Sequence, residues 1–281
     1  VSNCAEPSMA LNSSQIDCCK PFKYCKSPEI HRAFAKSCRH DIDYQKVLVE
    51  AGDFGRVVTD FFASGGIGLN VTAPFKGEAF AFADVHTGDA VDARAVNTLW
   101  RDDEGRVCGH TTDGSGLARD LEGNLGWQLA GANILFLGAG GAMRGIIGPL
   151  CDRAPASIHV ANRTPERAED LVALFEGRGP LTAGSLTAIP DREWSVVING
   201  LSSGLAGDFP GLNIPTISSN ASAYDLIYSD ESTPFMIWAA ARGFQHVTDG
   251  LGMLVEQAAD SYQIWNGERP MTSHVLAILR P

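Results

Sequence analysis

The sequence predicts a two-domain α/β protein, an N-terminal α/β domain followed by a doubly wound parallel sheet. Three observations carry this. The chain has 281 residues, room for two domains of roughly 150 residues each. Its second half alternates short apolar runs with helical stretches, the succession that builds a parallel sheet. A glycine loop, Gly138-Ala139-Gly140-Gly141-Ala142-Met143, joins one such run to a helix. With 44% hydrophobic and 20% charged residues, the chain is neither disordered nor fibrous. Its 22 basic and 33 acidic residues give a net charge of -11, which repels phosphate backbones and excludes nucleic acid as the expected partner. The apolar run at 134–137 falls far short of the ~20 residues of a membrane span. The N-terminus lacks the basic head and long apolar stretch of a secretory signal, so a cytoplasmic protein without a membrane partner is expected.

In order along the chain, Ser27-Pro28 suits a helix start. A serine oxygen can accept a first-turn N–H, and proline at the next position forfeits no bond. A helix is expected over 27–38. Residues 47–49 read as a strand. Phe54, Val57, Val58, Phe61 and Phe62 recur at helical spacing within 53–64, where Gly65-Gly66 ends the helix. A strand at 67–71, a helix from Pro74 to about residue 84, and strands at 95–100 and 106–109 follow, the last two joined across Asp102-Asp103-Glu104-Gly105. In the second half, strands are expected at 133–138, 157–161, 194–199, 223–226 and near His246, with helices at 142–151, 165–176, 233–242 and 250–265. Residues 1–23 carry no clear period. The cysteines Cys4, Cys18, Cys19, Cys25 and Cys38 crowd the start of the chain. A metal or disulfide cluster is disfavoured there: no C-x-x-C pair occurs, the total of seven is odd, and adjacent Cys18 and Cys19 fit one tetrahedral site poorly. No metal is expected.

The glycine loop lies between an apolar strand and a helix, the context in which backbone N–H groups approach a pyrophosphate. Met143 at the sixth position, where glycine or alanine is usual, makes it a variant, and a tight turn without ligand is the alternative reading. The next strand ends in Ala161-Asn162-Arg163-Thr164-Pro165-Glu166-Arg167. An acidic residue there would accept the ribose hydroxyls of NAD. Two guanidiniums flanking a threonine hydroxyl suit a 2′-phosphate instead, so NADP is favoured over NAD.

Outside that region, Asn70-Val71-Thr72-Ala73-Pro74-Phe75-Lys76 sets a lysine after a strand and a proline-fixed turn. Ala95-Val96-Asn97-Thr98, Thr111-Thr112-Asp113-Gly114 and Gly250-Leu251-Gly252-Met253-Leu254-Val255-Glu256-Gln257 embed small polar residues in strand-like or glycine-rich contexts. In order and spacing, these segments, the glycine loop, 162–167, Tyr224-Asp225-Leu226-Ile227-Tyr228 and Thr233-Pro234-Phe235 resemble the shikimate dehydrogenase family. The likeness extends over residues 24–270.

The resemblance implies reduction of 3-dehydroshikimate to shikimate by NADPH, a step towards chorismate and the aromatic amino acids. It implies a catalytic pair, Lys76 and Asp113, and a small ring acid held by Cys25, Ser27, Thr72, Asn97, Tyr228 and Gln257. Nucleotide contacts would come from Gly138, Ala139, Gly140, Gly141, Ala142, Asn162, Arg163, Thr164, Arg167, Leu226 and Gly250. A substrate domain at 1–112, completed by 250–281 through a returning C-terminal helix, would face a Rossmann-like NADP domain at 113–249. Monomer and homodimer both fit such a cleft enzyme. The residue types suit the chemistry. Hydride arriving at a ketone builds charge on oxygen that an ammonium group can stabilise and protonate, while neutral side chains can hold ring hydroxyls.

Three departures stand out. Cys25 replaces a serine that in the family meets the substrate carboxylate, a loss worth roughly 1.5–3 kcal/mol. Leu201 replaces a threonine beside the cofactor. The family's opening strand and Gly-Asn-Pro turn should occupy 17–23, where the chain reads Asp17-Cys18-Cys19-Lys20-Pro21-Phe22-Lys23. A quinate or aminoshikimate dehydrogenase and a catalytically weak nucleotide-binding regulatory protein are the competing readings.

Overall fold

The computed structural model describes residues 13–18, 26–201, 209 and 211–280, the first six through their backbone alone. Two six-stranded sheets organise the chain. The first contains β1 (Ser13–Cys18), β2 (Ile42–Val47), β3 (Gly68–Val71), β4 (Val85–His86), β5 (Thr98–Arg101) and β6 (Val107–His110), in the order β2-β1-β3-β5-β6-β4. β1 runs parallel to β2 and β3, while β5 is antiparallel to β3 and β6. Between these strands lie α1 (Ser27–Cys38), α2 (Phe54–Ala63), α3 (Lys76–Phe82) and α4 (Ala90–Ala93).

α5 (Asp113–Arg119), extended by a π-helical turn over Asp120–Asn124, leads to the second sheet. That sheet contains β7 (Asn133–Leu137), β8 (Ser157–Asn162), β9 (Leu181–Ser185), β10 (Glu193–Asn199), β11 (Thr216–Asp225) and β12 (His246–Thr248), all parallel, in the order β12-β11-β10-β7-β8-β9. Helices α6 (Gly141–Cys151), α7 (Pro165–Ala173) and α8 (Pro234–Ala241) connect its strands. α9 (Leu251–Asn266) and α10 (Ser273–Leu279) complete the chain. Successive strand residues serve opposite faces: Ile134 and Phe136 pack with Ile146 and Leu171, whereas Leu135 and Leu137 pack with Phe235 and Ala239. This is the expected doubly wound sheet. Its strand order reverses beside β7, and in such sheets ligands bind beyond the carboxyl ends of the strands at that point.

The first sheet is asymmetric. Leu69, Val71 and Leu99 join Phe54, Val58 and Phe62 on one side, while Asn70 and Thr98 point to the other, where α9 lies. α9 also packs its Leu251, Val255, Ala258 and Tyr262 on Ile30 and Phe34 of α1.

Several expectations need correction. The strand expected at 47–49 is β2 at 42–47, where only Tyr44 is buried, so pairing with β1 rather than hydrophobic alternation sets its place. Residues 1–23, read as aperiodic, include β1, whose order comes from parallel partners on both sides. β11 begins seven residues before the strand expected at 223–226. The short elements β4, α4, α5, β9 and α10 were not anticipated. No helix among the described residues is long and apolar enough to cross a membrane. The side chains of Cys4, Cys18, Cys19 and Cys25 lie outside the described residues, so the reading of that cluster lies there too.

Candidate active site

Lys76 is the first residue of α3 and Asp113 the first of α5. Lys76 Nζ donates to Asp113 Oδ2 at 2.6 Å, with side-chain exposures of only 14% and 8%. Asn97 Nδ2 donates to the other carboxylate oxygen at 3.0 Å and to Gln257 Oε1 at 3.1 Å. Asn97 Oδ1 accepts the Thr112 backbone N–H at 2.9 Å and the Thr98 hydroxyl at 2.8 Å. Four of the expected site residues, Lys76, Asp113, Asn97 and Gln257, are therefore in direct contact although they come from distant parts of the chain.

Glycines allow this convergence. A Cβ at Gly114 would come within 2.3 Å of the Gly145 carbonyl oxygen, and one at Gly116 within 2.6 Å of the Gln257 backbone nitrogen. Gly145 leaves room for Thr111 and Asp113, and Gly252 for the Asp120 carboxylate. α5 is thus wedged between α6 and α9, with Asp113 at its leading edge. Behind it, Ser115 donates to Asp260 at 2.6 Å, and Arg269 bridges Asp260 at 2.8 Å and Glu256 at 2.5 Å. Tyr224 donates to Asp120 at 2.6 Å. Burial pushes the Asp120 carboxyl up from its usual range, and it pushes the Tyr224 hydroxyl up as well.

Residues the sequence reading did not assign to the site also belong to this network. Ser261, one turn beyond Gln257, accepts from Asn70 Nδ2 at 3.0 Å and contacts the Thr98 hydroxyl at 2.8 Å. Asn70 Oδ1 accepts the Tyr44 hydroxyl at 2.7 Å. The available signal was the appearance of Asn70 and Thr98 in segments otherwise suited to a buried strand. Nothing local marks Ser261.

The remaining expected substrate residues are more dispersed. Ser27 is buried at the start of α1. Thr72 is half-buried in the turn before Lys76, its carbonyl accepting the Phe75 N–H. Tyr228 is half-buried after β11 and packs on the α1–α9 core. It lines a cavity of about 630 Å³ with Lys26, Asp230 and Arg280, across which Lys26 pairs with Asp230 at 3.2 Å. Cys25 lies outside the described residues.

At the carboxyl end of the parallel sheet, Gly138 has φ 105°, and a Cβ there would meet the Gly200 carbonyl oxygen at 2.9 Å. Only glycine takes that conformation readily. Ala139 and Ala142 are half-buried, while Gly140 and Gly141 are exposed, with open space where a Cβ would stand. Met143 is buried in the core, and its sulfur would lie 2.7 Å from a Cβ at Gly200, so that glycine accommodates the unusual sixth position. Leu201 packs against the core on the α8 side, which absorbs its departure from threonine. Gly250 lies against the Leu226 carbonyl, where a Cβ would be 2.5 Å away, and Leu226 N–H is held by the Asn199 carbonyl at 2.9 Å. Asp225, whose carboxyl burial pushes up, accepts from Asn199 at 3.0 Å and Thr233 at 2.6 Å.

Asn162 Nδ2 donates to the Thr164 carbonyl, and Arg163, Thr164 and Arg167 are exposed around the start of α7. Among the described residues neither arginine has an acidic partner. A glycine cradle that a Cβ would fill, open space over the first turn of α6 and two unpaired guanidiniums fit a dinucleotide bearing an extra phosphate.

Comparison with known proteins identifies the family. Residues 18–99 match the shikimate dehydrogenase substrate binding domain, residues 119–202 the shikimate / quinate 5-dehydrogenase model, and residues 250–280 the shikimate 5'-dehydrogenase C-terminal domain. A shikimate dehydrogenase (NADP(+)) of Thioalkalivibrio sulfidiphilus is 47% identical over 261 residues, covering 93% of this chain and 96% of that protein. The Ael1 enzyme of Pseudomonas putida superposes with a TM-score of 0.85 at 36% identity, covering 96% of this chain and 98% of its own. Shikimate 5-dehydrogenase from Thermus thermophilus, solved with NADP(H) and shikimate, gives 0.81 at 28% identity, covering 96% and 99%. Near-full-length identity, three matched domain models and a shared two-sheet architecture together mean that this chain belongs to the shikimate dehydrogenase family.

Proposed function

We propose that this chain interconverts 3-dehydroshikimate and shikimate with NADP, in the biosynthetic sequence leading to chorismate and the aromatic amino acids. The observation that carries the reading is the 2.6 Å contact between Lys76 and Asp113, made at the meeting of the two sheets and little exposed to water.

The NADP domain is assigned to residues 113–249 and the ring-acid domain to 1–112 completed by 250–281. Gly138, Ala139, Gly140, Gly141 and Ala142 would hold the pyrophosphate, with Leu226 and Gly250 as further nucleotide contacts. Asn162, Arg163, Thr164 and Arg167 would hold the 2′-phosphate. When bound, the nucleotide would supply or accept the hydride. The chain's own residues manage the proton. Lys76 carries three N–H donors; one is held by Asp113, leaving others for the ketone oxygen. As negative charge develops on that oxygen, the Lys76 N–H bond breaks and an O–H bond forms, leaving a neutral amine to be reprotonated from solvent. Asp113 orients the ammonium group through the 2.6 Å bond. Ser27, Thr72, Tyr228 and Gln257 hold the ring hydroxyls and carboxylate. Asn97 joins this set by tying Asp113 to Gln257. The protein acts in the cytoplasm, and monomer or homodimer leaves the site complete.

The test is NADPH formation with shikimate, repeated with quinate and with NAD. Turnover with shikimate and NADP is expected to exceed the other combinations. A preference for quinate would move the chain to the paralogue reading, and tight NADP binding without turnover would leave the binding protein.

A further inference from the structure

We propose that Thr98 and Ser261 are positioning residues: with Asn70 they form a one-way chain of hydrogen-bond donors that ends on Asp113 and keeps it the carboxylate partner of Lys76. This rests on the reading of Lys76 and Asp113 as the reacting pair. It begins from strand register. Asn70 and Thr98 stand directly opposite each other in the antiparallel β3–β5 pair, so their side chains share a face. α9 lays Ser261 across both.

The direction of donation follows from what each group can give. The Tyr44 hydroxyl donates to Asn70 Oδ1 at 2.7 Å, which turns Asn70 Nδ2 towards Ser261 at 3.0 Å. Thr98 gives its single proton to Asn97 Oδ1 at 2.8 Å, because a carbonyl oxygen has none to offer. The 2.8 Å contact between the two hydroxyls is therefore donated by Ser261. The other partners within reach of Ser261 are more distant, the Gln257 carbonyl at 3.1 Å and the Thr112 hydroxyl at 3.2 Å. Asn97 Oδ1, filled by Thr98 and by the Thr112 backbone N–H at 2.9 Å, leaves the amide one orientation, with Nδ2 facing Asp113 Oδ1 at 3.0 Å, Gln257 Oε1 at 3.1 Å and the Thr112 hydroxyl at 2.9 Å. A flipped amide would set its carbonyl against the carboxylate. Tyr44, Asn70, Ser261, Thr98 and Asn97 are all buried. Such a chain polarises in one direction and strengthens its last bond.

The consequence concerns position. With Asn97 donating to one Asp113 oxygen and Lys76 to the other, the carboxylate is held where both bonds are made, and it aims the Lys76 amine in turn.

The experiment compares Thr98→Val, which keeps shape without the hydroxyl, with Thr98→Ser, and Ser261→Ala with Ser261→Thr. Two readouts are taken: kcat and KM with shikimate and NADP, and hydrogen exchange of the Asn97 side-chain amide in the protein without substrate. Thr98→Val and Ser261→Ala are expected to lower kcat about tenfold, the loss of about one hydrogen bond, with KM for NADP unchanged and faster amide exchange. Thr98→Ser and Ser261→Thr are expected to recover most of both. Wild-type kcat and amide exchange in Thr98→Val and Ser261→Ala, or equal impairment in each conservative partner, would overturn the relay. A wild type without turnover whose amide still responds as stated would remove the catalytic reading and leave the relay standing.

Discussion

The two sheets treat polarity in opposite ways. The parallel sheet is apolar on both faces, with Ile134 and Phe136 on one and Leu135 and Leu137 on the other. The nucleotide end proposed for it is built from backbone at Gly138, Gly200 and Gly250. The mixed sheet is apolar on one face and carries Asn70 and Thr98, fully engaged, beneath α9 on the other. Its proposed functional groups are side chains. A site made of backbone is governed by space and conformation. A site made of side chains is governed by who donates to whom, so single-atom changes should be felt there most.

The sharpest way to break this contrast lies on the side-chain half. Lys76→Ala is expected to lower kcat by about 10²–10⁴-fold, the usual contribution of a positioned proton donor, with KM for shikimate nearly unchanged. A steady-state assay giving near-normal kcat would remove the donor role. Next come the guanidiniums at the start of α7. Arg163→Ala combined with Arg167→Ala is expected to weaken NADP by about 1.5–3 kcal/mol for each charge-assisted bond lost while leaving NAD untouched. Equal losses for both nucleotides would place the 2′-phosphate elsewhere.

The backbone half is tested by Gly138→Ala. With φ 105° and only 2.9 Å to the Gly200 oxygen, alanine should cost about 1–3 kcal/mol, read as a lower Tm together with weaker NADP binding. An unchanged affinity would show that the loop does not touch the nucleotide.

The smallest effect concerns His31, on the polar side of the mixed sheet. It stacks on Tyr44 at 4.1 Å between ring centroids, and burial pushes its pKa down to about 3 against an opposing influence from Asn70. Between that value and the ordinary 6.5, the unfolded chain carries a proton that the folded one lacks. Stability then rises with pH through this window and is lost as pH falls, by at most about 1.4 kcal/mol per pH unit. Asp120 and Asp225, raised by burial, act with the opposite sign, losing stability as pH rises. His31→Phe leaves both in place and is expected to flatten the acid-side loss in urea unfolding at pH 5 and 7; parallel curves for the two proteins would uncouple His31 from folding.

Much of the architecture was readable because its causes are local. The spacing of Phe54, Val58 and Phe62 marks α2 and its buried face, and the run from Ile134 to Leu137 marks a strand covered on both sides. α5 was not readable. Its Asp113-Gly114-Ser115-Gly116 start has low helix propensity, at about 1 kcal/mol for each glycine. Those glycines instead let it press against α6 and α9. β1 was missed for a related reason, since its partners lie far along the chain.

What the sequence determined by itself was the kind of chemistry present: a glycine loop, paired arginines, one lysine and one aspartate in a recognisable order, with period and composition to build two α/β layers. Only the tertiary structure decided how those groups act on one another. Hydrogen-bond direction at Asn97 depends on Thr98, Thr112 and Ser261 at once. These groups belong to separate elements, and no local propensity can orient an amide whose donors arrive from three parts of the fold.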